Sequence, residues 1–134
     1  MYQASVENWG DSRFVATTPH SSFVTDTQGK GANPVDTLLV SLCSCIGHYV
    51  REHFITKGSP LPVFRVSAES DTAREDSRLS AISVRIDVGR VRLGPPEQAE
   101  ILAEAGRCKI YGTLRQACRI DVAVVDGEAQ SGAA

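Results

Sequence analysis

Apolar and polar positions alternate roughly by twos over residues 2–28, around Phe14, Val15, Phe23 and Val24, with breaks at Gly10-Asp11 and Thr18-Pro19-His20. That is the period of half-buried strands punctuated by turn residues, and it predicts two or three short antiparallel strands. The pattern changes at Gly29-Lys30-Gly31-Ala32-Asn33-Pro34. Asn33 is suited to cap a helix and Pro34 to open one, so a helix is expected from there to about Lys57, where Gly58-Ser59-Pro60 stops it. At about 100° per residue, Leu38, Leu42, Cys45 and Tyr49 share one direction and Val35, Leu39, Ile46 and Val50 sit beside it. Val40, Cys43 and Phe54 widen the apolar arc past half the circumference. A helix this apolar needs cover on more than one side.

Residues 61–70 and 78–92 return to period two, with Phe64, Val66 and Ala68 opposite Val63, Arg65 and Ser67, and with Ile82, Val84, Ile86 and Val88 on one face. They read as two half-buried strands, paired antiparallel across the charged turn from Asp71 to Ser77. Gly94-Pro95-Pro96 opens a second helix, with Glu97 and Glu100 near its positive end and Ala99, Ile101, Leu102 and Ala105 as its apolar side. Cys108 falls near its end. A short helical stretch around Tyr111–Gln116 should lead to a final strand, Arg119–Val125, with residues 127–134 as a frayed tail. The order of elements predicts one α+β domain over 1–134, in two layers, with antiparallel sheets packed on a long buried central helix plus a second helix. One sheet covers only one side of that helix, and a second copy of the chain is the simplest cover for the other, so a homodimer is expected.

Composition narrows the function by exclusion. With 14 Lys plus Arg against 16 Asp plus Glu, the net charge of −2 offers no broad attraction to phosphate backbones or anionic lipid, so neither nucleic acid nor membrane is an expected partner. The first residues, MYQASVENWGDSR, hold no signal-like apolar run, and no stretch reaches the roughly 18 apolar residues of a membrane span. A soluble cytoplasmic protein is the expectation. In a reducing cytosol the four cysteines, Cys43, Cys45, Cys108 and Cys118, are reactive, metal-binding or simply buried thiols rather than structural staples.

Cys43 and Cys45 point about 200° apart on a helix and cannot bond to each other without unwinding it. Cys43 falls in the apolar arc, where a small buried hydrophobe is the plainer reading. Cys45 lies at the seam between that arc and a polar stripe of Thr37, Ser41, Ser44, His48 and Glu52, where a thiol can meet both substrate and a charge partner. His48, one turn on, is open to three readings: a cation for Cys45, a member of a zinc site with Cys43 and Cys108, or an exposed or interface histidine. Cys118 is expected to pack at a strand edge.

The run Gly31-Ala32-Asn33-Pro34-Val35-Asp36-Thr37-Leu38-Leu39-Val40-Ser41-Leu42-Cys43-Ser44-Cys45 resembles the OsmC/Ohr family, the osmotically inducible and organic hydroperoxide resistance proteins. The resemblance lies in a small residue, Asn or Ser, then Pro, an acidic residue, an apolar helix, and a cysteine eleven residues after the proline, the place that Cys45 fills. A second block, Cys108-Lys109-Ile110-Tyr111-Gly112-Thr113-Leu114, is similar to the family's second cysteine motif, with Lys109 where proline is usual. The resemblance spans nearly the whole chain and marks it as a divergent OsmC-like member.

That resemblance implies an intertwined homodimer with its reaction centre at the subunit interface. It also implies a thiol-dependent peroxidase in which Cys45 attacks an organic hydroperoxide and becomes a sulfenic acid, which Cys108 resolves to a disulfide. An external dithiol (a lipoylated protein, thioredoxin or a small thiol) then reduces that disulfide, and no cofactor or metal is required. Family members support the thiolate with an arginine held by an acidic residue, which often directly follows the proline; here Val35 stands there and Asp36 comes next. Two roles are open for Asp36, holding the arginine or stabilising the helix start through the dipole. For the arginine, Arg13 is the first choice and Arg107 and Arg51 are reserves, with a solvated hairpin residue the plain alternative for Arg13. Phe14, Phe23, Tyr49 and Phe54 are candidates to line an apolar pocket. The competing reading, prompted by Val35 and Lys109, is a non-enzymatic OsmC-like protein that binds a small ligand or a partner.

Overall fold

The computed structural model describes residues 1–127. Most of the expected frayed tail, 128–134, lies outside the described residues. The N-terminal alternation forms three strands, β1 (Ser5–Asn8), β2 (Arg13–Thr17) and β3 (Ser22–Asp26), in an antiparallel meander of order β1-β2-β3. Asp26, almost fully buried at the end of β3, accepts the Ser12 hydroxyl at 3.0 Å and the Gln28 N–H at 2.8 Å. Its own N–H donates to the Ala32 carbonyl at 3.0 Å, which ties the sheet to the loop before the long helix.

That helix, α1 (Pro34–Lys57), has the predicted limits. Asn33 Oδ1 accepts the Asp36 N–H at 2.8 Å and the Asn33 N–H donates to the Asp36 carboxylate at 3.3 Å, a reciprocal cap that satisfies donors the first turn otherwise leaves orphaned. At the other end Gly58 takes a left-handed conformation, φ 69°, and its N–H returns to the Ile55 carbonyl at 3.0 Å.

The second sheet pairs β4 (Arg65–Thr72) with β5 (Leu79–Asp87) antiparallel, in a register that sets Val66 against Ile86, Ala68 against Val84 and Ser70 against Ile82. The inward faces are the ones the period predicted. Both strands are shorter than expected at the ends away from the turn, because residues 61–64 precede the pairing and Gly89, φ 71°, turns the chain off the sheet. Helix α2 (Pro95–Ala105) and a short α3 (Lys109–Arg115) follow, with Cys108 between them as the N-cap of α3.

The expected final strand is corrected. Residues 119–125 belong to neither sheet, and Ile120, Val122 and Val124 are 80%, 88% and 95% exposed. The alternation is present, but a strand exists only when its backbone groups find a partner strand, and the described chain offers this segment none. Cys118, expected at a packed strand edge, is accordingly exposed.

The core is a stripe of α1, Leu42, Ile46, Val50 and Phe54, closed by Ile101 and Ala105 of α2 and by Cys108. Phe64, Val66, Ile82, Val84 and Ile86 pack against it from the sheet. The opposite side of α1 is open, with Val40 63% exposed. Among the described residues no helix is long and apolar enough to cross a membrane. Since Ile101 is the main apolar anchor of α2 on α1, Ile101→Ala should lower unfolding stability by roughly 2–5 kcal/mol, read by chemical denaturation of the intact chain.

Candidate active site

Cys45 sits three residues after Leu42 and one before Ile46, so the packing that buries those two sets its sulfur at the edge of the core. Cys108 arrives from the other direction. Its backbone N–H closes the last turn of α2 on the Ala105 carbonyl at 3.1 Å, and its Sγ accepts the Tyr111 N–H at 3.3 Å as α3 begins. The result is a Cys108 only 1% exposed, in the cluster against which the half-buried Cys45 packs.

The two thiols are made unequal by what surrounds them. Burial pushes the Cys45 thiol up, but the Cys108 thiol hydrogen-bonding to it, the backbone N–H groups of Ile110 and Lys109, and the Lys109 ammonium together bring it below its ordinary value. Burial likewise pushes Cys108 up, and serving as the donor to Cys45 pushes it further, with the Tyr111 N–H acting against both. Cys45 is therefore the sulfur equipped to carry the negative charge and Cys108 the one equipped to keep its proton. Cys43, half-buried, is raised by burial alone, as an inert thiol should be.

The other candidates lie apart from this pair. Arg13, exposed on β2, is held by the Asp11 carboxylate at 2.7 and 2.9 Å. Asp36 is engaged in the cap of α1. The Arg107 guanidinium lies 5.6 Å from the centre of the Tyr49 ring, and Arg51 pairs with neighbouring Glu52 at 3.4 Å. His48 is exposed and meets Tyr49 edge-on at 5.0 Å. Of the aromatic candidates for a pocket, Phe54 is core and Phe23 is exposed. Among the described residues no three His, Cys, Asp or Glu side chains cluster as a metal-binding group.

A cavity of about 450 Å³ is lined mainly by Leu38 and Leu42 of α1, Ile82 and Val84 of β5, and Tyr111 and Arg115 of α3, without either cysteine in its wall. Arg115 donates to the Tyr111 hydroxyl at 2.9 Å with its guanidinium 5.5 Å from the ring centre. Tyr111 thus joins the cavity to the turn that holds Cys108.

Two residues escaped the reading of the sequence. Lys109 contributes through its backbone N–H, which no side-chain motif advertises. His53 is fully buried on α1 between Glu97 and Glu104 of α2; its place seven residues after Ile46 and three after Val50 put it on the apolar stripe, and that was the available signal.

The family model described as OsmC-like protein matches residues 27–123. Solved structures share the fold over most of the chain. The OsmC like protein from Mycoplasma pneumoniae is 18% identical with a TM-score of 0.72, over 87% of this chain and 89% of that one. The organic hydroperoxide resistance protein OsmC from Legionella pneumophila is 15% identical with a TM-score of 0.60, over 86% and 89%. The organic hydroperoxide resistance protein OhrB of Bacillus subtilis is 13% identical with a TM-score of 0.58, over 87% and 92%. No curated protein matches this sequence.

The stabilisation of Cys45 from the start of α3 can be tested at residue 109. Proline suits the first position of a helix but has no N–H and no charge. Wild-type Cys45 should be alkylated by iodoacetamide with a midpoint below that of an ordinary thiol, about 8.5, and Lys109→Pro should move that midpoint upward, as read by mass spectrometry of the Cys45 peptide across pH.

Proposed function

Because the chain belongs to the OsmC-like protein family, we propose that it is a thiol-dependent peroxidase that reduces organic hydroperoxides. The observation that carries the proposal is the packing of Cys45 against the cluster that buries Cys108, in surroundings that favour the thiolate at Cys45 and the thiol at Cys108. The Cys45 thiolate attacks the terminal oxygen of the hydroperoxide and the O–O bond breaks. The alkoxide takes a proton and leaves as the alcohol, and Cys45 is left as a sulfenic acid. Cys108 then attacks that sulfur, an S–S bond forms, and the hydroxyl departs with the thiol proton as water. An external dithiol returns the two electrons in a final exchange.

The apolar cavity lined by Leu38, Leu42, Ile82 and Val84 suits the organic part of the substrate, which is why an alkyl hydroperoxide is preferred here to hydrogen peroxide. Asp36 takes a supporting role by fixing the start of the helix that bears Cys45, and Arg13, which lies apart from the pair within one protomer and is held by Asp11, is proposed to meet the developing anion across the dimer. The chain works as a homodimer in this proposal, supported by the uncovered side of α1 around Val40 and by the exposed alternation Ile120, Val122, Val124. The cytoplasm, where a dithiol reductant is at hand, is its proposed compartment.

Reduced wild-type protein with a dithiol should consume cumene or t-butyl hydroperoxide. Cys45→Ser should abolish that turnover, whereas Cys108→Ser should still form one equivalent of dimedone-reactive sulfenic acid at Cys45. Full activity in Cys45→Ser would reject the nucleophile, and no consumption by the wild type would leave a binding protein built on the same fold.

A further inference from the structure

His53 is the largest fully buried polar side chain among the described residues, the proposed chemistry does not use it, and its surroundings are specific. The ring is 0% exposed, on the stripe of α1 that otherwise holds only Leu42, Ile46, Val50 and Phe54. Its Nε2 is 3.2 Å from the Glu97 carboxylate and its Nδ1 is 3.6 Å from that of Glu104, with no hydrogen bond closer than that for Nδ1. Phe54 meets the ring edge-on at 5.4 Å. Glu97 and Glu104 are seven residues, two turns, apart on α2, so they bracket the imidazole from both sides. Between them Glu100 faces Lys57 at 2.9 Å, an exposed pair. These are the polar links between α1 and α2 among the described residues.

A neutral imidazole has one N–H, and either tautomer would aim a lone pair at a carboxylate. The imidazolium has a proton for each. A buried polar group is unfavourable unless it is paired, so a ring placed between two carboxylates adds a directional constraint on sliding or rotation of its helix to that of close apolar packing. Ile101 and Ala105 hold α2 to α1 by close packing, and His53 adds the polar contacts that specify its register. What α2 carries at its end is Cys108, three residues past Ala105.

We propose that His53, buried between Glu97 and Glu104 with its Nε2 3.2 Å from the Glu97 carboxylate, is the positioning residue that fixes α2 against α1 in the register that brings Cys108 to Cys45. Its value to the protein rests on the cysteine chemistry proposed above, but its effect is readable without any peroxide, as the effective concentration of the cysteine pair in thiol–disulfide exchange with glutathione.

In the full chain, His53→Gln and Glu104→Gln should each lower that effective concentration about tenfold or more, because a misplacement of the order of an ångström is enough to spoil alignment of two reacting groups. Lys57→Met, which breaks only the exposed pair, should leave it within about twofold. Circular dichroism checks that each variant is folded. If His53→Gln does not fold, Glu104→Gln carries the measurement, since that side chain is one-third exposed. An unchanged effective concentration in the folded glutamine variants overturns the proposal. Failure of the wild type to reduce hydroperoxides would refute the peroxidase reading and leave these results standing.

Discussion

The contact between α1 and α2 is the constraint on which the rest of the molecule turns. Leu42, Ile46, Val50 and Phe54 of α1, with Ile101 and Ala105 of α2, form the same cluster that buries Cys108. A core of this kind is close-packed and resists small displacements collectively. Cys45 is one helical position from Ile46 and Cys108 three from Ala105, so the separation of the sulfurs is a by-product of core packing. The sheet β4–β5 closes the other side of this cluster, and α1, β5 and α3 together line the cavity.

Local signals were sufficient wherever the structure is local. Asn33, Pro34 and Gly58 mark both ends of α1 because capping and left-handed conformation are properties of one or two residues, and the period-two runs reveal the inner faces of β4 and β5 because side-chain direction alternates regardless of neighbours. The segment 119–125 failed for the complementary reason. Its alternation is as clear as that of β5, yet strand formation depends on a partner elsewhere, and alternation does not say whether that partner is in the same chain. The candidate site divides the same way. The seam position of Cys45 was legible from the helix alone, while its pairing with Cys108 came only through resemblance, since 63 residues separate them. Arg13 and Asp36 were chosen by type, and each has a nearer partner in the described protomer, Asp11 and Asn33.

His53 shows where a helical wheel misleads. A histidine between Val50 and Phe54 looks like an interruption of the stripe, and only the position of α2 reveals that its face supplies Glu97 and Glu104. Glutamates at that spacing on α2 read, in the sequence, as an ordinary solvated face. Their common direction acquires meaning once a buried base lies opposite.

Burial and charge act in opposition at the cysteine pair. The core that brings the thiols together also disfavours the thiolate, and Cys43, which has burial without donors, shows the outcome when nothing offsets it. At Cys45 the offset comes mainly from neighbours already fixed for structural reasons: the Cys108 thiol, placed by the end of α2, and the N–H groups of Ile110 and Lys109, left free because a helix start has no preceding turn to bond. A hydrogen bond between two thiols is directional, so stabilising one anion necessarily raises the other thiol. The asymmetry that the proposed reaction would use, with Cys45 lowered and Cys108 raised, thus follows from what surrounds each sulfur, and the exposed lysine charge adds only a small increment to it.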